Sequence, residues 1–205
     1  MSTAPSREPR PENAIIDSLR THGLMDDPDS AKFEALTGGV SSDIWKVEAD
    51  GRTYCVKRAL AKLKVKADWF APVERNKFEV AWYQRAGTYV PGSTPRILAH
   101  DESIELCAME FLEPGLHKLW KTELHAGRAN VDDVRKVGEM LGRIHAGAAK
   151  DPNLHKAFPA SDIFHAIRLE PYLEATAIEH PDLEEQLFAL SRRTATTKLT
   201  MIHGD

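Results

Sequence analysis

Cysteine is scarce in this chain, which carries only Cys55 and Cys107 among its 205 residues. Two cysteines this far apart give neither the paired spacing of a metal site nor the dense framework of a disulfide-stabilised secreted domain. Both fall in segments that we predict to be strands. We therefore expect two buried, reduced thiols and no cysteine-held metal.

The chain also lacks an excess of basic charge and any long apolar run. Its 27 lysines and arginines stand against 31 acidic residues, and the net charge of −4 gives no electrostatic case for a nucleic-acid partner. No apolar stretch approaches the length of a membrane span, and the N-terminus lacks the hydrophobic core of a signal peptide. We expect a cytoplasmic protein without a membrane partner.

The chain has enough hydrophobic residues, 42% of the total, to form a substantial core. Residues 1–11 are polar and proline-rich, which predicts a flexible leader. An apolar stripe at helical spacing predicts a helix over 12–22. A strand pattern gives way to helical patterns at Pro114-Gly115, so we predict two lobes, 12–112 and 113–205.

A glycine-rich turn before a predicted hairpin indicates a phosphate-binding loop. Gly38 and Gly39 would let backbone N–H groups approach a polyphosphate closely, and Ser41 and Ser42 add short donors. We call residues 38–42 the glycine loop. The strand after it reverses at Asp50-Gly51, a dipeptide typical of two-residue hairpins. Adjacent glycines are also common in ordinary turns, so the loop depends on its surroundings for support.

One lysine lies on the return strand of this hairpin. The period of two places Cys55 and Lys57 on one face of the strand and Tyr54 and Val56 on the other. Lys57 would therefore lie beneath the glycine loop. A solvated lysine at a sheet edge fits the same pattern.

A helix is predicted over Pro72–Gly87, because proline favours a first turn and glycine a C-terminus. It carries Glu79, whose carboxylate could pair with Lys57, although a solvated helix glutamate would look the same in the sequence. Glu74 is a second candidate partner for Lys57. The lysine-rich connection over Leu60–Ala71 shows no clean period, so the sequence does not decide between the two glutamates.

The remaining elements change from strands to helices. Two strands separated by a polar turn complete a small, mostly antiparallel sheet. Asn130 suits a helix N-cap, and the acidic residues after it match the helix dipole. An apolar strand then leads into His203-Gly204-Asp205. The predicted segments are strands over Pro95–His100 and Ile104–Phe111, a helix from Asn130, a helical stretch within Ala160–Thr176, a helix from Pro181, and a strand over Lys198–Ile202.

The order of these features resembles the aminoglycoside phosphotransferase and choline kinase family, which is related to the protein kinases. That family's catalytic motif begins His-Gly-Asp, and the segment Leu141–His145 resembles a helix of its second lobe. The resemblance covers about Phe33–Asp205. It implies an α+β, protein-kinase-like fold, with a small antiparallel-sheet lobe carrying one helix and a mainly helical, truncated second lobe.

Carried over position by position, the resemblance implies a site for ATP. Lys57 would contact the α- and β-phosphates with Glu79 as its ion-pair partner, and the glycine loop would hold the phosphates. The hinge segment Met109–Leu112, which includes Glu110, would offer backbone groups to adenine, with Cys55 lining its face.

The same resemblance implies how transfer is catalysed. Asp205 would be the catalytic base toward the acceptor hydroxyl, and His203 would brace its turn. The family continues past this motif to an asparagine and an aspartate that bind Mg²⁺, and neither is present. We therefore expect an N-terminal fragment that is inactive as it stands, with its metal ligands beyond the last residue.

The implied function is ATP-dependent phosphorylation of a hydroxyl on a small molecule of the aminoglycoside, sugar or amino-alcohol type. A non-catalytic nucleotide-binding or scaffolding protein of the same fold is the main alternative. A protein kinase is a weaker alternative, because that family normally has arginine where Gly204 stands.

Overall fold

The structure is a computed structural model that describes residues 10–37, 39–66, 68–128, 130–159 and 161–203. These residues form two compact units. The first holds the described residues up to Val80 together with Pro95–Lys118. The second holds Ala81–Thr94 and the described residues from Leu119 onward.

Strands and helices are both present, in the predicted α+β class. The strands are β1 (Lys32–Ala35), β2 (Ser42–Ala49), β3 (Arg52–Ala59), β4 (Ile97–Asp101) and β5 (Leu106–Glu110). The helices are α1 (Asn13–Thr21), α2 (Arg75–Tyr89), α3 (Trp120–His125), α4 (Val131–Ala148), α5 (Leu154–Ala157), α6 (Ser161–Phe164), a π-helix (His165–Glu174), α7 (Ala175–Glu179) and α8 (Glu184–Thr196). None of the helices described combines the length and apolar content needed to cross a membrane.

The sheet of the first unit is antiparallel, with strand order β1-β2-β3-β5-β4. Asp50 and Gly51 join β2 to β3 with φ angles of 50° and 71°, the left-handed values that a tight two-residue hairpin requires. The predicted hairpin is confirmed. The sequence pattern does not predict β1. This edge strand is only four residues long, and Phe33 is its only partly buried residue.

Helix α1 packs on one face of the sheet. Tyr54 and Val56 are 1% and 0% exposed and share a cluster with Ile15 and Leu19 of α1, as the period of two on β3 predicts. The Tyr54 hydroxyl donates to the Leu24 carbonyl at 3.0 Å, and burial raises the pKa of Tyr54 to about 12. The core therefore takes one face of β3 and leaves the other for Lys57.

Replacing Ile15 with alanine should lower the free energy of unfolding by about 2–5 kcal/mol, because it removes buried methyl groups and leaves a cavity. Urea denaturation followed by circular dichroism measures this loss. Asp17→Ala, at an exposed position of the same helix, is the matched control and should stay within about 0.5 kcal/mol of wild type. A loss for Ile15→Ala no larger than the control's would contradict the packing of α1 on the sheet.

Helix α2 differs from its predicted bounds at both ends. It begins at Arg75 instead of Pro72 and continues through Gly87, its predicted end, to Tyr89. A Cβ built at Gly87 would lie 3.2 Å from Thr94 Oγ1, so a glycine at this position of the helix lets the Thr94 side chain approach closely. The helix-stop interpretation of Gly87 is therefore wrong.

The second unit is built around the C-terminal half of α4. Asn130 caps this helix as predicted, its side-chain oxygen accepting from Asp132 N at 2.9 Å. Ile144 is 0% exposed whereas Val131 is 83% exposed, so the predicted apolar stripe is buried only toward its end. The buried cluster comprises Trp82, Ala86, Val90, Ile144, Ala148 and Met201.

The predicted strand over Lys198–Ile202 is wrong, since the structure assigns no strand to these residues. Thr200 Oγ1 donates to the His145 carbonyl at 2.8 Å, and Met201 is buried in the cluster with Ile144. Met201 therefore packs with a residue of α4 instead of extending a sheet, while Leu199 and Ile202 are exposed.

The helical stretch predicted within Ala160–Thr176 is confirmed from Ser161 onward, and its middle is a π-helix. Pro171 lies inside that π-helix, where a residue without a backbone N–H removes one donor from the ladder. Helix α8 begins at Glu184, later than the predicted start at Pro181.

Candidate functional site

An ion pair between Lys57 and Glu79 lies at the centre of the candidate site. Lys57 Nζ is 2.5 Å from Glu79 Oε1, and the side chains are 21% and 22% exposed. The alternation of β3 turns Lys57 away from the core cluster, and Glu79 lies in the second turn of α2. The pairing predicted from the sequence is confirmed, with Glu79 and not the exposed Glu74 as the partner.

Two neutral thiols share this face of the sheet. Cys107 lies directly opposite Lys57 in the register of β3 and β5, and Cys55 precedes Lys57 by two residues. Burial raises the pKa of the Cys55 thiol to about 11 and that of Cys107 to about 12, against the opposing effect of the Lys57 charge. Both cysteines are free, but only Cys107 is buried as predicted, whereas Cys55 is partly exposed.

The raised pKa of Cys55 sets an expectation for its reactivity. Only the thiolate is nucleophilic, so iodoacetamide should alkylate Cys55 slowly at neutral pH, and the rate should rise about tenfold per pH unit between roughly pH 7 and 9. Mass spectrometry of the digested protein measures the rate at each cysteine. Buried Cys107 is the internal control and should react only on unfolding. Alkylation of Cys55 at the rate of free cysteine would contradict a raised pKa.

The glycine loop lies at the start of β2, and Gly38 falls outside the described residues. A Cβ built at Gly39 would lie 3.0 Å from Ile44 Cδ1, so this glycine allows the loop to pack closely on the strand. Ser42 is 4% exposed, whereas Ser41 is partly exposed. Of the two predicted hydroxyl donors, Ser41 is the more accessible, and phosphate contact by either stays a prediction.

Arg75 is a residue of this region that the sequence analysis missed. Its guanidinium donates to the main-chain carbonyls of Ser41 and Leu60, at 2.5 and 2.7 Å, and also to those of Ala71 and Pro72. One signal was present, because a cation at the first residue of a helix opposes the helix dipole. An arginine there needs a local partner, and the carbonyls provide one.

The hinge predicted to meet adenine overlaps the last two residues of β5 and continues to Leu112. Glu110 N donates to the Arg96 carbonyl at 2.9 Å, and Glu110 Oε2 accepts from Arg96 N at 3.3 Å, so Glu110 is bound to the segment that leads into β4. Leu112 is 41% exposed and lies past the last residue of β5. Adenine contact by this hinge stays a prediction.

His203, in the second unit, is held against the aromatic side chains of α2. Its ring centroid lies 4.7 Å from that of Trp82 at an interplanar angle of 76°, an edge-to-face contact, and 6.4 Å from that of Tyr83. No pattern in the sequence predicts this contact. Gly204 and Asp205, the rest of the motif, lie outside the described residues.

The residues around Lys57 fit a polyphosphate. An ammonium group has three N–H donors, so one bond to Glu79 leaves two for phosphate oxygens. A glycine turn adds backbone N–H groups of the kind that bind anions. Within the described ranges, no three His, Cys, Asp or Glu side chains cluster as a metal site. This part of the chain therefore offers donors to phosphate and no preformed metal cage.

Comparison with known proteins adds one finding. Residues 32–205, most of the chain, match the sequence pattern of the family described as "Phosphotransferase enzyme family". The search of curated proteins returned no match.

Proposed function

The chain belongs to the phosphotransferase enzyme family, and from this premise we propose that it transfers the γ-phosphoryl group of ATP to a hydroxyl of a small molecule. The observation that carries the proposal is the Lys57–Glu79 ion pair on the sheet face opposite the core. The acceptor class, an aminoglycoside, sugar or amino alcohol, is proposed from the family resemblance. The cytoplasm is the proposed location.

Lys57 acts on the donor nucleotide in this proposal. A transferring phosphoryl group needs positioning and charge stabilisation more than covalent help from the protein. Glu79 restricts the flexible lysine side chain to one orientation, so the ammonium is already placed when the α- and β-phosphates arrive. The N–H groups at Gly39 and the Ser41 hydroxyl supply further donors.

Asp205 is the proposed general base. It would accept the proton of the acceptor hydroxyl as the hydroxyl oxygen attacks the γ-phosphorus. His203, which contacts the Trp82 ring, would brace the motif that includes this carboxylate. Mg²⁺, when bound, neutralises charge on the phosphate oxygens.

Nucleotide binding and phosphoryl transfer test the proposal in two steps. Isothermal titration calorimetry with Mg²⁺-ATP, Mg²⁺-ADP and adenosine should show affinity that increases with the number of phosphates. Incubation of a protein that also carries the family's asparagine and aspartate metal ligands with ATP labelled at the γ-phosphate and a panel of aminoglycosides, sugars and amino alcohols should yield a labelled acceptor. No affinity for any nucleotide would overturn the proposal. Binding without transfer to any acceptor by the protein that carries those metal ligands would favour the non-catalytic alternative.

A further inference from the structure

The guanidinium of Arg75 fastens the glycine loop to two other segments of the first unit. Its Nη2 donates to the carbonyls of Ser41, in the loop, and Leu60, just after β3, while its Nη1 donates to those of Ala71 and Pro72, just before α2. A planar group with several N–H donors in a fixed fork suits this arrangement, and a lysine ammonium on a single stem does not. Four carbonyls from three segments therefore meet at one side chain.

Main-chain hydrogen bonds join the same loop to the lysine-rich connection. Leu60 N donates to the Ser41 carbonyl at 3.0 Å, and Lys64 N donates to the Val40 carbonyl at 2.7 Å. The connection folds back on itself through a bridge between Lys62 and Phe70. Arg75 donates to the carbonyls of Leu60 and Ala71, the two ends of this connection, so its guanidinium completes the attachment of the loop.

Helix α2 relates Arg75 to the ion pair. Arg75 and Glu79 are four residues apart, so they lie on one face of the helix, one turn from each other. Glu79 holds Lys57 on β3, and Arg75 holds the glycine loop before β2. The two groups assigned to phosphate binding are therefore held by adjacent turns of one helix.

A purely structural role is the simpler interpretation of an arginine bonded to carbonyls. Two features indicate more. The charge lies at the start of a helix, where the dipole opposes it, and burial lowers the Arg75 pKa, so the cation is kept here at a cost. One of its four acceptors also lies in the glycine loop.

We propose that Arg75 is a positioning residue that fixes the glycine loop, at Ser41, relative to the Lys57–Glu79 pair. Through this placement it sets the affinity for the phosphates of a nucleoside di- or triphosphate. The inference rests on the proposed function, since it concerns the same nucleotide site.

Calorimetric titration of a phosphate series tests this role. Arg75→Met and Arg75→Lys should each bind Mg²⁺-ATP about tenfold more weakly than wild type while binding adenosine equally well, because only the phosphates meet the displaced loop. Arg58→Met is the matched control. Arg58 is a partly buried arginine of the same unit, paired with Glu12 through both terminal nitrogens, and its removal should leave the whole series unchanged.

Hydrogen exchange on the nucleotide-free protein gives a second readout. Arg75→Met should speed exchange at residues 39–44 and 60–64, which contain the loop and its tethers, and leave α1 protected. Unchanged exchange there would overturn the fastening of the loop by Arg75.

The outcomes separate this inference from the function on which it rests. Wild-type protein that binds no nucleotide would overturn the proposed function and this inference with it. Wild-type binding with an unchanged ATP affinity in Arg75→Met would overturn the role of Arg75 alone. An equal loss for adenosine and ATP would also overturn it, because general destabilisation predicts that result.

Discussion

Replacing Lys57 with alanine is expected to weaken ATP binding by roughly ten- to a hundredfold. Lys57 Nζ has two N–H donors left after its bond to Glu79, and a charge-assisted hydrogen bond contributes about 1.5–3 kcal/mol. The variant also removes the Lys57 charge from beside the Glu79 carboxylate, close to where the phosphates would bind. Calorimetric titration with Mg²⁺-ATP measures the loss, and adenosine affinity should change little.

Lys77→Ala is the matched control for this experiment. Lys77 lies on α2 near Glu79, and its half-exposed side chain lies 3.7 Å from Glu102. Lys77→Ala removes one positive charge from the same unit, as Lys57→Ala does. If long-range electrostatics alone caused the loss, ATP binding would weaken in both variants. Equal affinities for wild type and Lys57→Ala would remove Lys57 from the nucleotide site.

Glu79→Gln completes a double-mutant cycle. If Glu79 acts by holding Lys57, the Lys57→Ala loss should be smaller in the Glu79→Gln background than in wild type. Independent, additive losses would show that the two residues act on the nucleotide separately.

The ion pair could be predicted because it follows from local geometry. Alternation along β3 decides which side chains face the core, and Tyr54 and Val56 are too apolar to face water. Lys57 is then forced onto the opposite face. The choice of Glu79 over Glu74 follows from its position deeper in the helix that Phe78 and Trp82 anchor, whereas Glu74 is exposed and precedes the first residue of α2. Both inferences use short-range rules that a sequence displays directly.

The tethering of the glycine loop could not be predicted in the same way. The connection over Leu60–Ala71 has no periodic pattern, and it is ordered by main-chain bonds such as that from Lys64 N to the Val40 carbonyl. Backbone groups are the same at every residue, so such bonds leave no trace in residue type. Only Arg75 carried a signal, as a cation at the wrong end of a helix.

The wrong strand over Lys198–Ile202 and the wrong stop at Gly87 share a cause. In each, the residue type suits two environments, and tertiary contacts decide between them. Met201 is buried whether it faces a sheet or the α4 side chain of Ile144. Gly87 serves equally as a helix end or as a point of close approach to Thr94. Non-local packing overrides local preference at both positions.

Replacing Trp82 with alanine is expected to lower the free energy of unfolding of the second unit by about 3–5 kcal/mol. Trp82 is 9% exposed and packs in one cluster with Ile144 and Met201, so its removal leaves a cavity that the helices cannot easily fill. The variant also removes the edge-to-face contact with His203. His203 should therefore lose the nearer of its two ring contacts, and with it part of the support that we propose for the motif.

Urea denaturation and NMR of isotope-labelled histidine measure these two effects. The His203 resonance should shift in Trp82→Ala, because the indole ring-current field is lost along with the contact. Trp82→Phe is the matched control. The indole N–H has no hydrogen-bond partner among the residues described, so phenylalanine keeps an aromatic ring and breaks no polar bond. It should cost only about 1–2 kcal/mol. An alanine variant as stable as the phenylalanine variant, with His203 unshifted, would mean that Trp82 neither supports the cluster nor orients the motif.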